Sequence, residues 1–151
     1  MKKIFNIENL EQTAALARQI ADLSKGKVLT ITLDGDLGAG KTTWTKSFGK
    51  ALGVKNTINS PTFTIMKSYK QADGNPLWHL DAYRLEGLSQ DLGFDECFDD
   101  GIAVVEWSDY ISDQLPADHL SISIENGNSE ERVFTIESNG PLSSSILEEL
   151  K

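Results

Sequence analysis

The chain has 151 residues, 39% of them hydrophobic, one cysteine, and a formal net charge of -9 from 14 basic and 23 acidic side chains. That length supports one core and not two, so a single domain over residues 1–151 is expected. The lone Cys97 excludes an internal disulfide and a multi-cysteine metal site and reads as a buried structural cysteine, while the acidic balance disfavours independent binding to RNA or DNA, whose affinity rests on basic side chains neutralising phosphates.

The opening Met1 to Glu8 breaks into polar residues too early for a signal peptide, and no apolar run approaches the roughly 18 residues of a membrane span, so a cytoplasmic protein is expected. Asn9 can cap a helix running to about Ser24, with Leu16, Ile20 and Leu23 on its apolar stripe and Gly26 as its terminator. Val28 to Leu33 is an apolar, β-branched run of strand length. Next comes Gly35-Asp36-Leu37-Gly38-Ala39-Gly40-Lys41-Thr42, which fits the phosphate-binding pattern of Gly, four residues, Gly, Lys and Ser or Thr. Thr42 to Leu52 reads as a helix ended by Gly53.

Strand, glycine-rich loop and helix are the arrangement this motif needs. Free backbone N–H groups at a helix N-terminus converge on an anion with the helix dipole behind them. Glycines permit the close approach, Lys41 adds a point charge, and Thr42 supplies a hydroxyl for Mg²⁺. A chain of this length matches the octet by chance on the order of once in two hundred times, so a nucleoside triphosphate held by its phosphates is the leading reading. The series Lys41, Lys46, Lys50 and Lys55 then divides into phosphate chemistry and a solvated helix face.

After a loop from Val54 to Pro61, Thr62 to Tyr69 and Leu77 to Tyr83 are β-prone and joined by the turn Asp73-Gly74-Asn75-Pro76. So short a connection demands an antiparallel pair, and the sheet is therefore mixed. A short helix fits within Gly87 to Phe98, and Ile102 to Trp107 reads as a strand buried on both faces. His119 to Glu125 and Arg132 to Glu137 read as a terminal hairpin, followed by a closing helix from Leu142 to Lys151.

Asp81 and Glu106 each stand at the end of a hydrophobic strand, where α/β proteins place ligand sites. A bound Mg-nucleotide calls for such a carboxylate, and the sequence does not rank the two. Our assignment has Thr42 and Glu106 approaching the metal directly, with Asp81 acting through water or orienting an attacking water. Ser60-Pro61-Thr62 fits both a γ-phosphate-sensing switch and an ordinary turn into a strand. His79 has no companion at metal-ligand spacing and reads as a hydrogen-bonded strand histidine. Trp107 fits the edge of the site or the core, and Arg84 fits a phosphoryl contact or a surface ion pair. The acids Asp91, Asp95, Glu96, Asp99 and Asp100 read as a solvated face rather than a docking surface for a basic partner.

Four motifs in order, Gly-Asp-Leu-Gly-Ala-Gly-Lys-Thr-Thr at 35–43, Ser-Pro-Thr-Phe at 60–63, His-Leu-Asp-Ala-Tyr-Arg at 79–84 and Val-Glu-Trp at 105–107, resemble the TsaE family, formerly YjeE. The resemblance implies an α/β, three-layer P-loop NTPase fold with a mixed parallel and antiparallel central sheet. It implies a small ATPase using ATP and Mg²⁺ that works with the partners TsaB and TsaD to make threonylcarbamoyladenosine next to the anticodon of certain tRNAs. In that family TsaD carries the transfer, and the ATPase resets the complex between turnovers, meeting tRNA only through its partners and neither DNA nor membrane. Carried over, Gly38, Ala39, Gly40, Lys41, Thr42 and Thr43 bind phosphates, Thr42 and Glu106 bind Mg²⁺, and Asp81 belongs to the nucleotide-metal site, with Lys41, Asp81 and Glu106 catalytic. Thr62 acts in the switch-like loop, and Thr13 is the candidate for a polar residue near the adenine. Two other classes compete. A metabolite kinase commonly carries an arginine-rich lid, and only Arg18, Arg84 and Arg132 exist here. A nucleotide-gated binding module with little hydrolysis is separated from the ATPase only by rate measurements.

Overall fold

A computed structural model of the chain describes residues 1–35, 40–58, 66–83 and 94–151. Seven strands form one sheet: β1 (Lys2–Ile7), β2 (Leu29–Gly35), β3 (Met66–Lys70), β4 (Pro76–Asp81), β5 (Ile102–Glu106), β6 (Leu120–Asn126) and β7 (Arg132–Ser138). Their spatial order is β1-β7-β6-β2-β5-β4-β3. The helices are α1 (Leu10–Ser24), α2 (Lys41–Ala51), α3 (Phe94–Phe98) and α4 (Pro141–Glu149), and a kinked 3-10 segment spans Ser108–Gln114.

The centre of the sheet is parallel, β2 pairing with both β5 and β6, and β4 with β5. Both flanks are antiparallel, through β3 with β4 on one side and β6, β7 and β1 on the other. The mixed α/β sheet expected from the short turn at Asp73–Pro76 is therefore present. Strand β1 adds a member that the sequence reading did not anticipate. It is an edge strand whose burial alternates regularly, but Lys3 stands on its inner face and Ile4, a large apolar residue 60% exposed, on its outer face, so the period-2 signal is blurred.

Local chemistry sets the element ends. Asn9 caps α1, its Oδ1 accepting from the Gln12 N–H at 2.9 Å, while Gln12 Oε1 accepts from the Glu8 N–H at 2.9 Å. Leu16 and Ile20 are buried and Leu23 is half-buried, as the helical spacing requires. Gly53, at φ +85°, follows α2. Gly101 turns the chain into β5 at φ +76°, and a Cβ there would lie 2.2 Å from the Pro76 carbonyl oxygen. Only glycine satisfies both conditions.

Two cores cover the two faces of the sheet. The larger packs α1, α2 and α4 on one face, joining Leu16, Ile20, Trp44, Phe48 and Leu147 to Ile31, Leu33, Ile102 and Val104. The smaller joins Phe94, Phe98 and Ile111 to Leu80, Ala103 and Val105 on the other. Alternate residues of β5 thus enter opposite cores, which explains why that strand is apolar throughout. Parallel pairing also brings the C-terminal ends of β2, β4 and β5 to one edge of the sheet, beside the start of α2.

Candidate functional site

At that edge Asp81 and Glu106 are in register on adjacent strands. Both are buried, at 5% and 4% exposed, and Lys41, the first residue of α2, is 6% exposed. Gly40 precedes it at φ +101°, a left-handed conformation suited to glycine. Lys41 Nζ lies 3.8 Å from Glu106 Oε1 and 4.3 Å above the Trp107 ring. It has no hydrogen-bond partner among the described residues. An ammonium sunk this far normally satisfies all its donors, so the cluster has an unfilled demand for acceptor oxygens.

Glu106 is engaged on both oxygens. Its Oε2 is 2.6 Å from Nε2 of His79, a fully buried side chain on β4. The reading of His79 as a hydrogen-bonded strand histidine is borne out. Asp81 Oδ1 accepts from the Tyr83 N–H at 2.9 Å, an Asx turn that fixes the carboxylate where β4 ends. The Ala82 N–H donates to the Glu106 carbonyl at 3.0 Å, holding the two strand ends together.

Trp107 follows Glu106 in the left-handed region, at φ 56°. That conformation is uncommon for a bulky residue and swings its ring over Lys41. The ring also meets Tyr83 edge-on at 5.1 Å and lies parallel to Tyr110 at 6.3 Å. Trp107 occupies both places the sequence left open, since its ring stands over Lys41 and also packs against the smaller core.

Asp34, near the end of β2, accepts from the Ser108 N–H at 3.1 Å and the Ser108 hydroxyl at 2.9 Å, fastening the 3-10 segment to the sheet. Burial pushes its carboxyl above the usual range, with Asp109 adding to the shift and the Ser108 hydrogen bonds and Lys41 opposing it. A cavity of about 250 Å³ lies beside it, lined by Asp34, Gly35, Trp107, Asp109 and Tyr110.

Of the other candidates, Thr42 is half-buried and Thr43 exposed on the first turn of α2. Thr13 is buried in α1, and its hydroxyl has no hydrogen-bond partner among the described residues. Gly38, Ala39, Thr62, the rest of the Ser60-Pro61-Thr62-Phe63 motif and Arg84 lie outside the described residues. Lys46, Lys50 and Lys55 line a shallow concavity at the far end of α2, away from the phosphate motif. Glu96, Asp99 and Asp100 are exposed, as the solvated reading expects. Cys97 is 2% exposed against Met66, and burial raises its thiol pKa, so it has the character of a structural cysteine.

Sequence reasoning missed the roles of Asp34, Ser108 and Arg132. Arg132 begins β7, and its Nε lies 3.9 Å from where a Cβ on Gly40 would stand, which brings a guanidinium beside the phosphate motif. Contacts between residues so far apart in the chain leave no local pattern to read. Only the position of Asp34 at the end of an apolar strand could have flagged it.

Among the described residues no group of three or more His, Cys, Asp or Glu side chains could hold a metal by itself. The oxygen donors at this edge of the sheet and the start of α2, Thr42, Asp81 and Glu106, suit a hard cation that keeps most of its ligands as water or phosphate, as Mg²⁺ does. The donor set and the unsatisfied Lys41 ammonium are together compatible with a Mg-phosphate group.

Strand β2, the glycine motif and α2, with acids ending the neighbouring parallel strands, define an α/β protein of the phosphate-binding-loop class. A family model described as "Threonylcarbamoyl adenosine biosynthesis protein TsaE" matches residues 7–134. The chain belongs to the TsaE family. It is 48% identical to the tRNA threonylcarbamoyladenosine biosynthesis protein TsaE of Bacillus subtilis, over 94% of this chain and 89% of that protein. It is 41% identical to the protein of the same name from Streptomyces coelicolor, over 73% and 76% of the two chains. The crystal structure of Bacillus subtilis YdiB superposes with a TM-score of 0.81 at 37% identity, covering 99% of this chain and 94% of that one.

Proposed function

We propose that this protein is a Mg²⁺-dependent ATPase subunit that acts with TsaB and TsaD in forming N6-threonylcarbamoyladenosine beside the anticodon of tRNA, and that its ATP cycle resets the complex between turnovers. The observation that carries the ATP site is the Lys41 ammonium, 6% exposed at the N-terminus of α2 and without a hydrogen-bond partner among the described residues. The family relationship supports the tRNA-modification role. The acidic charge of the chain fits a subunit that leaves tRNA to its partners.

In this reading Gly38 to Thr43 receive the phosphates, and Lys41 exchanges its Glu106 contact for phosphate oxygens. Thr42 and Glu106 hold Mg²⁺, Asp81 holds water at the metal site, Thr62 senses the γ-phosphate and Thr13 lies near the adenine. Mg²⁺, when bound, would neutralise charge on the β- and γ-phosphates. Trp107 covers Lys41 and keeps bulk water from it, and the Asp81 carboxylate is placed by its Asx turn to orient an attacking water. The expected location is the cytoplasm. No helix among the described residues is long and apolar enough to cross a membrane.

Reconstitution tests the biological role. With TsaB, TsaD, tRNA, threonylcarbamoyl-adenylate and ATP, this protein is expected to raise the yield of modified tRNA from about one turnover to many. An unchanged yield when it is omitted contradicts the role. The engagement of both Glu106 oxygens by His79 and Lys41 favours a second reading, a nucleotide-gated module with little hydrolysis. Multiple turnovers supported equally well by a non-hydrolysable ATP analogue would select it.

A further inference from the structure

His79 has no exposed surface, and its two ring nitrogens have different fates. Nε2 lies 2.6 Å from Glu106 Oε2, whereas Nδ1 has no hydrogen-bond partner among the described residues. On β4 it stands opposite Val104, so the ring reaches diagonally along β5 to find Glu106 two residues further on. The Glu106 carboxylate accepts, which places a proton on Nε2 as the donor of this bond. A residue present only to fill the core would need no such bond. A leucine or phenylalanine would supply apolar volume without burying an unpaired nitrogen.

The bond has a definite geometric effect. A glutamate side chain has three rotatable torsions, and tying Oε2 to a ring fixed on β4 removes most of that freedom. The other oxygen, Oε1, is then presented to Lys41 at 3.8 Å. We propose that His79 is the positioning residue for Glu106: it fixes the carboxylate so that Oε1 faces the phosphate and metal site at the start of α2. The proposal rests on the Mg-nucleotide reading of that site. Its consequence is selective. Losing the His79 bond weakens the metal-dependent part of nucleotide binding and spares the metal-free part, which depends on the glycine motif and Lys41. Groups that orient the ligands of a metal typically contribute about 10- to 100-fold in affinity.

The test compares His79→Leu with His79→Gln, whose side-chain amide can still donate near the position of Nε2. ADP binding is measured by titration calorimetry without divalent metal and then across a Mg²⁺ series. His79→Leu is expected to raise the Mg²⁺ concentration for half-maximal enhancement about 10- to 100-fold and to leave metal-free ADP affinity within about threefold of wild type, while His79→Gln recovers most of the loss. Equal weakening with and without Mg²⁺, no effect of His79→Leu, or no recovery by His79→Gln overturns the proposal. A wild-type protein that binds no ADP contradicts the nucleotide reading itself, a distinct outcome.

A second readout uses the unliganded wild-type protein and needs no folded variant. Long-range ¹H–¹⁵N spectra report the tautomer of each of the two histidines. His119 supplies the internal contrast, because its Nδ1 lies 2.8 Å from the Pro116 carbonyl, which only accepts, so Nδ1 carries its proton. His79 is expected to carry a proton on Nε2, the nitrogen that faces Glu106. An Nδ1-protonated, Nε2-bare pattern at His79 removes the donor that the proposal requires.

Discussion

At the ends of β4 and β5, Lys41, His79, Asp81 and Glu106 are at most 6% exposed, yet Lys41 Nζ and His79 Nδ1 lack hydrogen-bond partners among the described residues. At the opposite flank, where β6 and β7 meet α4, the polar groups close on one another. Asp118 Oδ2 accepts from the Leu142 N–H at 2.8 Å, and its Oδ1 accepts from the Ser143 N–H at 3.1 Å, capping α4 from the loop that precedes β6. Ser143 Oγ accepts in turn from the Asn139 and Gly140 N–H groups, at 3.1 and 3.2 Å. One region keeps strong groups short of partners, and the other satisfies its groups internally. A buried charge held ready for an outside partner is what a binding site requires, and a closed network is what a scaffold requires.

Substitutions break this contrast in different currencies. Lys41→Ala should lower ATP affinity at least about 100-fold with little change in melting temperature, because its ammonium makes no hydrogen bond among the described residues and Glu106 keeps its bond to His79 when it is gone. Calorimetry and a thermal melt on the same sample check both halves. Gly101→Ala should do the reverse, at a turn that shapes the sheet and touches no ligand. A left-handed alanine whose Cβ collides with the Pro76 carbonyl should cost at least about 2 kcal/mol in denaturant unfolding.

The smallest effect is expected at Asp118. Partial burial works against its charge, but hydrogen bonding to Ser143 and Leu142 prevails and holds the carboxyl below its usual range. A depressed acid contributes stability above its unfolded-state value, about 3.9, and loses it as pH falls through the lower folded-state value. Asp118→Ala should therefore destabilise by about 1 kcal/mol near neutral pH, a typical helix-cap loss. The gap to wild type should narrow below about pH 4. A gap constant from pH 7 to pH 3 contradicts the capping account.

Which features could be read from the residues follows from the range of the interactions involved. Asn9 and Gly53 act within a turn or two of themselves, and the turn at Asp73–Pro76 is equally local, so α1, α2 and the β3–β4 hairpin were legible. Asp81 and Glu106 were legible as acids ending hydrophobic strands, but their placement side by side required the β4–β5 register. The partnership of His79 with Glu106 required it too. Strand β1 escaped because Ile4 faces outward, and the 3-10 segment escaped because Asp34, 74 residues earlier, holds its first turn. Arg132 offered no cue, since only the closing of β7 onto the sheet brings it to Gly40.

The central claim is that the strand-end cluster is a Mg-nucleotide site, and a Mg²⁺ titration of ATP turnover in wild type and Glu106→Ala tests it most directly. The account predicts that wild-type turnover depends on Mg²⁺, and that Glu106→Ala requires at least about tenfold more Mg²⁺ or fails to turn over at any concentration. Normal, Mg²⁺-dependent turnover in Glu106→Ala would contradict it.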